Sequence, residues 1–247
     1  MPSAAPFASL TDLVDLVLPR ECGGCGTVGE RCCPACRAVL AGASPRPWRP
    51  DPCPDGFPRA WAGLPYEGPV RQLVVTWKDG GRRDLTPVLG HVLARCLAAA
   101  VAELLDVGLL TAGAGRVPGA PALLVVPAPS SRATTRQRGD RPLVQLCRVA
   151  ARALPPGLTR LLPALRQGRA VADQAGLDQR ARAVNLAGSM VLVPRTERRV
   201  AGAHCLLVDD VVTTGATLAE ATRVLRGAGA RSVVAVTVAA TRRWSAS

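Results

Sequence analysis

"HCLLVDDVVTTGATLAEATRVLRGAG", His204 to Gly229, reads as three pieces in succession. His204–Asp210 is a short apolar run closed by two acids, the pattern of a strand covered on both faces in a parallel sheet. From Ala216 the apolar residues recur at helical spacing until glycines stop them. Between the two lie Thr213, Thr214, Gly215 and Thr217. A strand feeding a helix through so short a loop leaves backbone N–H groups unpaired at the positive end of the helix dipole, which suits an oxyanion. Gly215 lets the backbone come close, and the threonines add hydroxyl donors. No lysine follows the glycine as in a Walker loop, and G-x-G-x-x-G is absent from this junction.

The acid pair narrows the ligand. Carboxylates accept hydrogen bonds from vicinal hydroxyls, so Asp209 and Asp210 suit the 2′- and 3′-OH of a ribose. The loop Thr213, Thr214, Gly215, Ala216 and Thr217 then takes its 5′-phosphate. Two plainer readings explain less. Helix-capping aspartates would stand nearer the helix, and a magnesium-binding acidic pocket leaves three threonines unused.

Outward from this stretch, "SVVAVTVAAT" (232–241) and "ALLVVPAP" (122–129) predict further buried strands. Strand, helix, strand in that order predicts a right-handed crossover and an α/β fold with a mainly parallel sheet. Helices are predicted for 69–80, 85–107 and 142–154, and for Leu10–Leu18, where Pro19 ends the pattern. The segment "SPRPWRPDPCPDGFPRAW" (44–61) has a proline density that predicts an irregular linker. The expected division is therefore a small N-terminal module over 1–60 and an α/β domain over 61–247.

The 247 residues are 48% hydrophobic, which excludes a disordered chain, and their net charge of +13 favours an anionic partner. Aromatics are only 3%, so a nucleic-acid face of interleaved basic and aromatic residues is poorly supported. Lys78 is the one lysine among 31 basic residues, a compact ammonium kept where arginine is otherwise used. Arg95 and Glu103 interrupt the longest apolar helix, so no membrane span is expected, and the N-terminus lacks the basic start of a leader. A cytoplasmic protein is the expectation, with its nine cysteines as thiols or metal ligands. His91 and His204 sit among apolar residues and read as packed, and no general base stands out.

"CGGCGTVGERCCPAC" supplies Cys22-x-x-Cys25 and Cys33-x-x-Cys36. Two such knuckles deliver four thiolates in the tetrahedral arrangement of a structural zinc site. Cys32 competes with Cys33 for the third position, and the spacing to Cys36 favours Cys33. Cys96, Cys147 and Cys205 lie in apolar patterns and read as buried.

Taken together, these residues carry a resemblance. Asp209–Thr217 is similar to the 5-phosphoribosyl diphosphate (PRPP) motif of type I phosphoribosyltransferases. The wider chain resembles the ComF family, competence-associated proteins with a phosphoribosyltransferase-like domain and an N-terminal zinc module. "YEGPVRQLVVTWKDGG" from Tyr66, "VVPAPSSRATTRQRG" and "QAGLDQRARAVN" are similar to segments of that family, with a departure at Asp140 after Gly139. The resemblance implies a type I phosphoribosyltransferase fold, magnesium with PRPP, and transfer of the phosphoribosyl group to an unidentified acceptor. It implies a diphosphate side formed by Ser130, Ser131, Arg132 and Arg138. Gln174, Arg182 and Asn185 are implied as mobile-loop candidates, with Lys78 grouped beside them. A non-enzymatic PRPP sensor, or a component binding single-stranded DNA or DNA-uptake proteins, is the alternative it leaves open. The N-terminal module stands where a hood contacting the acceptor or a nucleic-acid strand would be.

Overall fold

The computed structural model describes residues 21–110, 123–129, 141–168 and 188–241. In chain order its elements are α1 (Pro34–Ala41), β1 (Arg46–Trp48), β2 (Arg59–Pro65), α2 (Gly68–Lys78), α3 (Thr86–Asp106), β3 (Leu123–Pro127) and α4 (Pro142–Ala151). There follow β4 (Thr159–Leu161), β5 (Leu165–Gln167), β6 (Met190–Leu192), α5 (Glu197–Val200), β7 (His204–Val212), α6 (Ala216–Gly227) and β8 (Ser232–Ala240).

Six strands form one sheet in the order β1-β2-β8-β7-β3-β4, and β5 pairs with β6 in a separate antiparallel hairpin. Strand β7 is central, parallel to β3 on one side and to β8 on the other. Only β1 runs antiparallel to its neighbour. Both faces are covered, which is why the strands are apolar throughout and not alternating. Leu206, Val208, Val234 and Val236 face a core built with α2, α3 and α4. Cys205, Leu207, Val233 and Ala235 face a second core built with α6 and the β5–β6 hairpin.

Helix α3 and the turn before it, 83–106, are long and apolar enough to cross a bilayer, with a mean hydropathy of 1.8. Arg95 and Glu103 therefore do not disqualify the segment by composition alone. Its apolarity is accounted for by packing, since Leu89, Leu93, Leu97 and Leu104 are all buried in the first core.

The proline-rich segment is more ordered than its composition predicts. Arg46–Trp48 pairs with Ala60–Ala62 as the edge strand β1, a place where Pro47 is tolerated because an edge leaves one row of backbone groups outside the ladder. Strand β2 runs through the expected boundary at residue 60 and pairs with β8. The predicted helix Leu10–Leu18 lies outside the described residues.

Candidate functional site

The sheet has one place where neighbouring parallel strands send their connections in opposite directions. Strand β3 leaves through α4 to β4 at one edge, whereas β7 leaves through α6 to β8 towards the other. Such a switch point opens a crevice at the C-terminal ends of the strands, where open α/β sheets bind ligands. The last pair between β3 and β7 is Pro127 with Val208. Asp209 and Asp210 come next, at the mouth of that crevice. They do not end the strand, as the sequence suggested. Residues 211 and 212 still pair with Ala239 and Ala240 of β8, so β7 runs on to Val212.

Both acids are fixed by their own backbone. Asp210 N–H donates to Asp209 Oδ1 at 2.9 Å, and Val211 N–H donates to Asp210 Oδ1 at 2.9 Å. The ammonium of Lys78 donates to Asp210 Oδ1 at 3.0 Å and lies 2.7 Å from Oδ2. Asp210 is almost fully buried and Lys78 about half-exposed. Lys78 is thus the last residue of α2, where a cation also suits the helix dipole, and not part of the segment that holds Gln174, Arg182 and Asn185. Burial pushes the Asp209 carboxyl up to about 8, and the neighbouring Asp210 charge adds to that rise, while Lys78 opposes it. For Lys78 itself, burial would lower the pKa, but attraction to Asp210 and Asp209 outweighs it and the group is raised.

Beyond Val212 the chain turns through Thr213, Thr214 and Gly215 into α6. Gly215 is the N-cap, in the left-handed region at φ 79°, and has no side chain to cap the helix; Thr214 Oγ1 accepts from Ala216 N–H at 3.5 Å. Beyond that one long contact, the first turn of α6 presents backbone N–H groups where an anion would accept them. Thr213 is exposed, and Thr214 and Thr217 are partly so. Thr241 holds the turn from behind, donating its N–H to Val212 O at 3.1 Å and its hydroxyl to Thr213 O at 3.4 Å.

The segment read as a linker also braces this loop. A Cβ built on Gly215 would lie 2.7 Å from Phe57 Cε2 and 3.1 Å from Pro50 Cγ. The Phe57 ring packs edge-on against Trp48 at 5.9 Å, and Trp48 Nε1 donates to Thr241 O at 3.2 Å. None of these contacts had a signal in the sequence beyond two aromatics among prolines. Gly215→Ala combines a left-handed backbone with a steric clash, so a loss of about 2–4 kcal/mol is expected in urea unfolding. A loss below about 0.5 kcal/mol would show that the brace is not formed.

Glu220, one and a half turns into α6, was not singled out by its sequence context. Its carboxylate accepts from Met190 N–H at 3.1 Å and from Arg223 at 2.7 and 2.9 Å. Burial opposes its ionisation, but these donors hold its pKa below the usual value. It ties α6 to strand β6, just after residues 169–187.

Cys22, Cys25, Cys33 and Cys36 come together with their sulfurs within 4.8 Å of one another. Cys32 is buried beside Cys22, but it is Cys33 whose sulfur converges with the other three, which favours Cys33 for the position the two contested. Cys25 and Cys33 sulfurs are 3.5 Å apart, close to the roughly 3.8 Å edge of a tetrahedron with metal–sulfur bonds of about 2.3 Å. Backbone N–H groups of Gly24 and Cys33 point at Cys22 Sγ at 3.4 and 3.3 Å, and that of Cys36 at Cys33 Sγ at 3.5 Å. Burial raises the Cys22 thiol, but those donors outweigh it and bring its pKa down to about 6. Donors aimed at sulfur favour thiolates, and the four residues fit a closed structural metal site.

His91 is exposed on α3, contrary to the packing expected of it, because it lies on the solvent side of that helix. His204 is half-buried, with Nδ1 2.8 Å from Ser232 Oγ, at the end of β7 remote from the acids. Cys96, Cys147 and Cys205 are buried as expected. Ser130, Ser131, Arg132 and Arg138, like Gln174, Arg182 and Asn185, lie outside the described residues.

A comparison with curated proteins finds no match. Residues 159–244, from β4 through β8, match the family model described as "Phosphoribosyl transferase domain". That match contains the acid pair, the threonine loop and α6, so this part of the chain, set in a mainly parallel sheet, is similar to a phosphoribosyl transferase domain.

Proposed function

We propose that the chain binds PRPP with magnesium, or a related ribose 5-phosphate ester, and transfers the phosphoribosyl group to an acceptor. The observation that carries this reading is the placement of Asp209 and Asp210 at the switch point, a short threonine turn ahead of a helix whose N-cap is Gly215. The acids would accept the ribose hydroxyls, and Thr213, Thr214, Thr217 and the N–H groups from Gly215 onward would hold the 5′-phosphate. Ser130, Ser131, Arg132 and Arg138 would stand on the diphosphate side, and Gln174, Arg182 and Asn185 would close over the sugar. In the transfer, the C1–O bond to diphosphate breaks, the diphosphate leaves with the electron pair, and the acceptor forms the new bond to C1. A magnesium ion bound with the substrate would neutralise the leaving diphosphate. The protein's own contribution is orientation and exclusion of water.

Zinc is the proposed occupant of the four thiols. A cytoplasmic setting is proposed because all nine cysteines are unpaired by disulfides. The resemblance to the ComF family extends the proposal to DNA uptake, with the charge of +13 as its physical support.

Thermal unfolding of the full chain with ribose 5-phosphate, and with PRPP with and without magnesium, tests the site. Ligand at 100 times its dissociation constant is expected to add about 2.7 kcal/mol, or roughly 5–10 °C. No shift with either ester would reject the sugar-phosphate reading. Diphosphate release on adding candidate acceptors separates a transferase from a sensor.

A further inference from the structure

The four-thiol module and the acid pair are joined by a single helix. Gly23 and Gly24, inside the first knuckle, lie flush against α2 and the turn after it. A Cβ on Gly23 would sit 2.6 Å from Leu85 Cδ1 and 3.4 Å from Thr76 Cγ2, and one on Gly24 would sit 2.8 Å from Cys36 Sγ and 3.1 Å from Leu73 Cγ. From the other side, Arg82 pairs with Asp84 and donates to Glu21 O at 3.0 Å. Leu73 and Thr76 therefore carry the module on their outer face. Lys78, two residues beyond Thr76, reaches Asp210.

The module has little core of its own. Among the described side chains from Cys22 to Ala43, the buried hydrophobic ones are Cys22, Cys32, Cys33, Cys36, Leu40 and Ala43. Three of these, Cys22, Cys33 and Cys36, belong to the four-thiol cluster, so bound metal would serve as the module's core, and its loss would release the surface that rests on α2. An 11-residue helix is marginal without packing on its faces.

We propose, resting on the sugar-phosphate reading of the crevice, that metal held by Cys22, Cys25, Cys33 and Cys36 positions Lys78 on Asp210 through α2. Metal occupancy thereby sets the affinity of the crevice for a ribose 5-phosphate ester. Lys78 is a positioning residue here. Its charge favours ionised acids as hydroxyl acceptors and adds a cation beside an anionic ligand. With the module slack, the ammonium is no longer held in register with the acids.

Binding coupling is reciprocal, so the test can start from fully loaded, folded protein. Zinc release to a chelator is followed with and without saturating ribose 5-phosphate, and ribose 5-phosphate affinity is measured by calorimetry on loaded and stripped chain. About tenfold tighter zinc retention with the sugar phosphate is expected, with a matching gain in sugar-phosphate affinity on loading zinc. In Lys78→Met, at a ligand concentration saturating for that variant, the protection should vanish. Retention indifferent to a ligand that demonstrably binds would overturn the proposal. Equal protection in Lys78→Met would also overturn it, by showing that the linkage runs through global folding. Loaded wild-type protein that binds neither ribose 5-phosphate nor PRPP would instead overturn the sugar-site reading, and this proposal with it.

Discussion

Replacing both Asp209 and Asp210 by asparagine is expected to weaken ribose 5-phosphate binding by about 10²–10⁴-fold. Each hydrogen bond from a sugar hydroxyl to a carboxylate is worth about 1.5–3 kcal/mol, and 1.4 kcal/mol is tenfold in affinity. Asparagine keeps an oxygen for the backbone N–H groups that Asp209 and Asp210 now bind, so the strand end should retain its shape. The loss is then one of hydrogen-bonding to the sugar and not of fold, and a thermal melt of the double variant at neutral pH should not fall below wild type by more than a few degrees. A companion ligand sharpens the result. Wild type should prefer ribose 5-phosphate over 2-deoxyribose 5-phosphate by about tenfold, because one hydroxyl is missing from the second sugar. The double variant should not distinguish them. Equal binding of the two sugars by wild type would mean that the acids do not read the 2′-hydroxyl.

Much of this site could be read along the chain because it is local. Residues 204–229 carry a buried strand, two acids, a threonine turn and an amphipathic helix in one continuous stretch, and period and composition suffice to place each. The cysteine cluster was legible for the same reason, since the knuckles lie within 15 residues of one another. The contacts that complete the site were not legible. Lys78 and Asp210 are 132 positions apart, and no spacing rule connects them. Pro50 and Phe57 pack on Gly215 only because β1 and β2 extend the sheet on the side of β8, which brings a proline-rich segment over the loop. Local propensity argued against any strand there. Pairing with β2 overrode it at Arg46–Trp48, where an edge position leaves Pro47 harmless.

The acid proposed to hold the sugar should also make the fold weaker as the solution becomes more basic. Asp209 has its carboxyl raised to about 8 by burial and by the charge of Asp210, whereas in the unfolded chain it would titrate near 3.8. The folded state therefore holds this proton more tightly than the unfolded state. Its contribution to stability is fully present below about pH 4 and is lost progressively as pH rises to about 8. Asp209→Asn removes the titration while keeping the acceptor for Asp210 N–H. The variant is expected to match wild type near pH 4 and to melt progressively higher than it as pH rises to 8, by at most about 1.4 kcal/mol for each pH unit. Melts of both proteins from pH 5 to pH 8.5, without ligand, decide this. Parallel pH profiles would show that Asp209 is ionised in the fold across the whole range and that Lys78 compensates its burial in full. A gain confined to the basic end, paired with weaker ribose 5-phosphate binding, would identify Asp209 as a group kept at a cost to stability because the ligand requires it.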